Sequence, residues 1–361
     1  MKKIIVAVCL LNLLNIKAEA CTGISLKDKT GAPLQARTIE WGENELQSNV
    51  IVIPRDMEFQ SYTPDKGKGF KWKGKYGAVG ISLVNDGFIG EGINEKGLNA
   101  GVFYFTRYGS LHKYNPKEAK ESIMDMELTK WFLTSFETVD EVEAALKKVK
   151  VVPVAYFNGE AAPTGHWRVA DRFGNVIVVE IVNNGEVKIY KNTVGVITNS
   201  PDYSWQMTNL NNYVNLRPGN SPSYELGNDK LMQFGAGSGM LGLPGDITPP
   251  SRFVRAAFYV NSAPVFENEN QMMKQAFHIL NNFDIPIGIE YGSKEHIPSD
   301  LQSATQWTAA SDQKNMIFYY KTMFNSQIRK IDLKTIDFNK KEIKVLPLDK
   351  KKEENIENVI I

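Results

Sequence analysis

A single cysteine is the residue of this chain best placed to do chemistry. Cys21 follows a basic head (Met1, Lys2, Lys3), an apolar run from Ile4 to Leu14 broken only by Asn12, and the small-x-small stretch Ala18-Glu19-Ala20. That layout predicts a signal peptide over residues 1–20 and export to the periplasm or the medium, because the run is too short to stay in a bilayer. The other cysteine, Cys9, would leave with the leader, so the mature chain would begin with its one thiol. An internal disulfide and a cysteine-rich metal site are then excluded. A terminal cysteine carries nucleophile and base together. Its α-amine, with an ordinary pKa of about 7.7–8.0, can take the thiol proton, and the thiolate can form an acyl-enzyme. Such a site needs cations beside the thiol, an acceptor for the amine and donors for an oxyanion. It needs no metal or organic cofactor. Two other readings stand beside it: an incidental cysteine, or a lipid-anchored binding protein, although Ala18 and Glu19 suit a lipid-attachment site poorly.

The rest of the composition narrows the class. Among 361 residues, 42 Lys and Arg face 41 Asp and Glu, so no basic excess favours nucleic acid. With 42% apolar and 23% charged residues, the chain is neither disordered nor collagen-like. No stretch beyond the leader is long and apolar enough to span a membrane. Gly237-Ser238-Gly239-Met240-Leu241-Gly242 matches a dinucleotide fingerprint, but Pro244 follows where a helix should begin, so it reads as a loop. His112, His166, His278 and His296 are scattered and form no metal-binding spacing.

The elements that must position Cys21 are mostly strands. Cys21–Lys27 and Ala32–Trp41 flank a Lys29-Thr30-Gly31 turn, and Asn49–Pro54, Gly77–Leu83 and Leu98–Thr106 follow. Met124, Leu128, Trp131 and Phe132 predict a helix over 117–136, and Thr138 to Glu141 is a capping box opening another to about Val149. Strands return at His166–Asp171, Asn175–Val182, Glu186–Tyr190 and Gly195–Thr198, with an Asn184-Gly185 hairpin among them. Tyr203–Thr248 reads as a long excursion. Helices at Ser251–Ser262 and Asn268–Asn282 precede strands at Ala304–Ala310, Asn315–Tyr320 and Ile328–Leu333, and the charged tail from Asp349 should fray. Strand blocks with paired helices predict a layered α+β domain. Trp131 and Trp167 read as core; Trp41 and Trp205 are the aromatic candidates for a pocket wall.

Five segments together resemble the choloylglycine hydrolase family, which contains bile salt hydrolases and penicillin V acylases. They are Cys21-Thr22-Gly23, Ala36-Arg37-Thr38-Ile39-Glu40-Trp41, Gly92-Ile93-Asn94-Glu95-Lys96-Gly97-Leu98, Thr198-Asn199-Ser200-Pro201 and Gly245-Asp246-Ile247-Thr248-Pro249-Pro250-Ser251-Arg252-Phe253. The resemblance runs over almost the whole of 21–361, read as one hydrolase domain. It implies a four-layer αββα sandwich of the N-terminal-nucleophile type and hydrolysis of a linear, non-peptide amide. By the same resemblance Cys21 is the nucleophile and Arg37 the cation beside it. Asn199 is an oxyanion donor, and Arg252 belongs to the supporting network. Glu40 stands where the family often has Asp to hold the amine. Phe103 or Tyr104 falls where many bile salt hydrolases have an oxyanion Asn; Tyr104 is favoured because a phenol can donate and the family's penicillin V acylases can carry Tyr there, the alternative being a backbone N–H donor with both aromatics walling the pocket. The excursion 209–242 resembles the family's assembly loop, which implies a homotetramer. Conjugated bile salts are the expected substrates, with penicillin V or an N-acyl homoserine lactone as the alternative.

Overall fold

The computed structural model describes residues 19–157, 159–161, 164–291, 293–294 and 297–360. Most of the expected signal peptide, and His296, lie outside these residues. The described chain builds two antiparallel sheets from fourteen strands. In chain order these are β1 (Glu19–Lys27), β2 (Pro33–Trp41), β3 (Asn49–Ile53), β4 (Ala78–Leu83), β5 (Asn85–Asn94), β6 (Asn99–Tyr104) and β7 (Gly165–Ala170). Then come β8 (Val176–Val182), β9 (Glu186–Lys191), β10 (Val196–Ile197), β11 (Thr305–Asp312), β12 (Ile317–Thr322), β13 (Arg329–Asp332) and β14 (Lys344–Pro347). The smaller sheet has the order β10-β1-β2-β11-β12-β13. The larger one, β9-β8-β7-β6-β5-β4-β3-β14, is a near-continuous meander.

Burial explains why the strands read as they do. In β2 eight successive residues are buried and in β7 all six, because one face meets the other sheet and the opposite face meets helices. Among the described residues, five α-helices flank the sheets: α1 (Leu128–Ser135), α2 (Val139–Leu146), α3 (Tyr203–Asn209), α4 (Pro249–Asn261) and α5 (Glu269–Leu280). Helix α1 lies on the larger sheet, where a Cβ at Gly92 would meet Leu133 Cδ1 at 2.7 Å, so glycine permits the close approach. Helices α4 and α5 cover β1 and β2 from the other side, with Phe253, Ala256, Met272 and Phe277 buried. The expected capping box is present, Thr138 and Glu141 each bonding the other's backbone. Trp131 and Trp167 are core residues, as expected.

Several expectations need correction. The helix foreseen over 117–136 is only α1; before it stand 3-10 turns at Pro116–Glu121 and Asp125–Glu127 around a strand, Ser122–Met124. That strand pairs in parallel with Lys150–Val152, which buries Met124 by ladder formation rather than on a helix face. A lysine-rich hairpin, Glu58–Tyr62 with Lys68–Lys73, and strands β5 and β14 were not foreseen. The excursion from Tyr203 opens with α3 and carries a small hairpin, Tyr224–Leu226 with Asp229–Leu231. The tail does not fray at once: Asp349 pairs with Arg329, Lys352 with Glu45, and Glu354 accepts from Ser326. The glycine-rich stretch 237–242 is a loop with a short 3-10 turn, as expected.

Candidate active site

Register brings Cys21 and two of its expected partners together. In the β1–β2 ladder Ala20 faces Glu40, Cys21 faces Ile39 and Gly23 faces Arg37. Strand alternation turns Arg37 into the gap between the sheets and Glu40 toward the helices, so the two groups flank Cys21 from opposite faces. Gly23 makes room for this. A Cβ there would meet Phe103 Cζ at 2.6 Å, Ile197 Cγ2 at 2.7 Å and Arg168 Nη1 at 2.9 Å.

Arg37 is wholly buried. Its Nη1 donates to Val102 O at 2.5 Å and Gly90 O at 3.2 Å, where β5 and β6 have parted, and its guanidinium lies 4.2 Å over the Phe103 ring. Glu91 Oε2 stands 4.0 Å away, while Glu91 Oε1 accepts from Arg168 Nη2 at 2.7 Å. Arg168 in turn donates to Ile24 O and Ala36 O on the two strands that carry the site. An Arg37–Glu91–Arg168 layer therefore underlies the cysteine. Reading the sequence singled out neither Glu91 nor Arg168.

The other side converges from three separate elements. Asn199, just beyond β10, accepts at Oδ1 from Cys21 N at 2.7 Å and from Arg252 Nη2 at 2.8 Å. Its Nδ2 donates to Tyr104 O at 2.9 Å. Arg252, in the first turn of α4, donates through Nη1 to Cys21 O at 2.6 Å and Thr22 Oγ1 at 2.8 Å. Of the two aromatics in doubt, Phe103 is buried between the sheets under Arg37, and Tyr104 reaches Asn199 through its carbonyl. Trp41 is half-buried at the core margin and bonds Asn44, and Trp205 is 42% exposed.

Electrostatics follow from burial. Desolvation pushes the Cys21 thiol up, opposed by Arg37 and Arg252, with Glu40 adding to the rise. Burial also pushes Glu40 up to about 8, although Arg252 pulls the other way. Glu40 Oε2 has no hydrogen-bond partner among the described residues, so the carboxyl has a spare acceptor. Among the described residues no group of three or more His, Cys, Asp or Glu could hold a metal ion, and no helix is long and apolar enough to cross a membrane. A buried thiol between two arginines, with a side-chain amide at its nitrogen, suits acyl transfer.

The family model described as linear amide C-N hydrolases, choloylglycine hydrolase family, matches residues 21–346. The chain belongs to that family. It is a linear amide C–N hydrolase, and its αββα sandwich is that of the N-terminal-nucleophile hydrolases. This choloylglycine hydrolase family member is 34% identical over 332 residues to the bile salt hydrolase/transferase of Clostridium perfringens strain 13, covering 91% of this chain and 97% of that one. A solved mutant of the conjugated bile acid hydrolase of Clostridium perfringens superposes with a TM-score of 0.79 at 32% identity, covering 94% of this chain and 100% of that one. The penicillin V acylase of Agrobacterium tumefaciens gives a TM-score of 0.72 at 26% identity, covering 91% and 92%.

Proposed function

We propose that the protein is exported, loses residues 1–20, and deconjugates glycine- or taurine-linked bile salts with Cys21 as nucleophile. The 34% identity to a bile salt hydrolase/transferase over nearly the full length of both chains carries the choice of substrate. In the uncleaved chain Cys21 N is a peptide nitrogen bonded to Asn199 and has no basicity. Cleavage before Cys21 makes it an amine, and Glu40, whose charge acts on the Cys21 thiol and whose Oε2 is unpartnered, is the carboxyl proposed to hold it.

The steps then balance. The amine takes the thiol proton, and sulfur attacks the amide carbonyl. The resulting oxyanion is met by the Asn199 Nδ2 proton that Tyr104 O does not use, since an amide NH2 has two donors. Collapse expels the glycine or taurine nitrogen, which leaves with the proton from the α-ammonium. Water hydrolyses the thioester, returning the thiol and a free bile acid. Arg37 favours the thiolate, and Arg252 fixes the Cys21 carbonyl and Asn199 Oδ1.

Tyr104, in place of Asn, favours a second reading, penicillin V hydrolysis, or that of another N-acyl amide such as an N-acyl homoserine lactone. Amine release by processed protein from taurocholate, glycocholate and penicillin V, compared as kcat/KM beside Cys21→Ser, tests both. A preference for the bile salts is expected; a preference for penicillin V would keep the mechanism and move the substrate. The proposed homotetramer rests on the excursion 209–242, which exposes Val214, Leu226, Met232, Phe234 and Leu241. An apolar loop of that kind calls for a neighbouring subunit to cover it.

A further inference from the structure

One buried titratable pair takes no part in the steps above. His166 on β7 is 2% exposed and Glu180 on β8 is 0% exposed, and between them they contact the chain on either side of Asn199. His166 Nε2 lies 2.9 Å from Thr198 O, and its Nδ1 lies 3.3 Å from Glu180 Oε1. The same Glu180 oxygen accepts from Tyr203 N at 2.7 Å. The imidazole stacks on Phe105 with ring centroids 4.4 Å apart and planes 6° apart, and Phe103 meets it edge-on.

We infer that His166 and Glu180 form a brace that positions Asn199 for the oxyanion, making both of them positioning residues for amide hydrolysis. The pair grips the chain at residue 198 and again at residue 203, and Asn199, Ser200 and Pro201 lie between the two grips. Thr198 Oγ1 also donates to Pro249 O in the first turn of α4, so the same clamp registers Arg252 against Asn199.

The proton inventory is fixed by chemistry. A carbonyl oxygen only accepts, so His166 Nε2 must carry a hydrogen. One further proton is shared between Nδ1 and Glu180 Oε1, because two bare acceptors would repel across that contact. A leucine at 180 would keep the bulk but strand Tyr203 N and Nδ1. A glutamine with its carbonyl in the Oε1 position would keep the acceptor for Tyr203 N, while its NH2 would take the place of Oε2, which meets neither group.

The inference rests on the proposed role of Asn199, and the experiment keeps the two separable. Processed wild type, His166→Phe, Glu180→Leu and Glu180→Gln would be compared in three measurements: kcat and KM for amine release, the rate of Cys21 alkylation by iodoacetamide, and 15N spectra of histidine-labelled protein. A displaced oxyanion donor should lower kcat by about 10- to 100-fold in the Phe and Leu variants. KM and the alkylation rate should stay within about twofold, since alkylation needs no oxyanion hole. Glu180→Gln, which keeps the acceptor for Tyr203 N, should recover part of kcat, and His166 should show a slowly exchanging Nε2–H. Unchanged kcat in both disruptive variants would overturn the brace. So would a bare Nε2, or a parallel loss of kcat, alkylation and melting temperature that glutamine does not rescue. If native protein releases no amine from any of the three substrates, the substrate reading fails, and the ring-proton signal still decides the brace.

Discussion

On one side of Cys21, Arg37 and Glu40 ride the neighbouring strand, so a ladder of backbone hydrogen bonds sets their positions. On the other, Asn199, Tyr104 and Arg252 arrive from a loop, a strand end and a helix, and side-chain hydrogen bonds join them. The thiol side is specified by register, and a one-residue slip is opposed by every buried side chain of β1 and β2. The oxyanion side is only as well placed as a few side-chain bonds allow. Substitutions should therefore act differently on the two sides.

The largest effect should come from the point where the sides meet. Cys21→Ala should reduce turnover on the order of 10⁴-fold or more, leaving the melting temperature nearly unchanged; single-turnover amine release checks it. Next, Asn199→Ala should lower kcat by about 10²–10³-fold while alkylation of Cys21 persists, as removal of an oxyanion donor does elsewhere. Equal loss of both rates would erase the distinction between the sides. Arg168→Met should act on stability rather than chemistry. It strips Glu91 of its 2.7 Å partner, and breaking a buried pair costs about 3–5 kcal/mol, readable as a lower urea midpoint.

A pH effect sharpens the thiol side further. In the uncleaved chain burial holds the Glu40 carboxyl at about 8 against an ordinary 4.5, so the folded state binds the proton more tightly than the unfolded one. The stability this gives is complete below about 4.5 and is lost as pH rises through about 8. In uncleaved Cys21→Ala protein, urea midpoints should fall over that window, and Glu40→Gln should flatten the fall. Processing should flatten it too, by setting an ammonium against the carboxylate. The smallest change is expected at the loop: Phe234→Ser should leave kcat within about twofold and shift light-scattering mass toward smaller species.

How much of this could be read beforehand depended on what makes a residue buried. Strands such as β2 and β8 were legible because their β-branched and apolar residues are buried whatever lies beyond. The helix ahead of Leu128 was misjudged because Met124 fell at helical spacing while its burial comes from pairing with residues 150–152. In the site, Cys21 stood out from its place after the expected leader, and Arg37, Glu40, Asn199 and Arg252 from the resemblance. Glu91, Arg168, His166 and Glu180 did not stand out. A charged residue in a strand normally marks the wet face, and only the second sheet, far along the chain, makes these positions dry. The glycines around Glu91 and the unbroken apolar run up to Glu180 were the only hints of it.

Strand β1 does not start at the cysteine. Glu19 and Ala20 already pair with Trp41 and Glu40, and Ala20 is packed with Ile285 and Ala304. A peptidase takes its substrate as an extended strand with unoccupied backbone groups, and here those groups are occupied on the side of the bond to be cut. In the proposed maturation this imposes an order of events. The leader must be removed while the chain is still emerging from export, before the hairpin closes. A molecule that closes first has sealed its own nucleophile as an ordinary rung of a ladder.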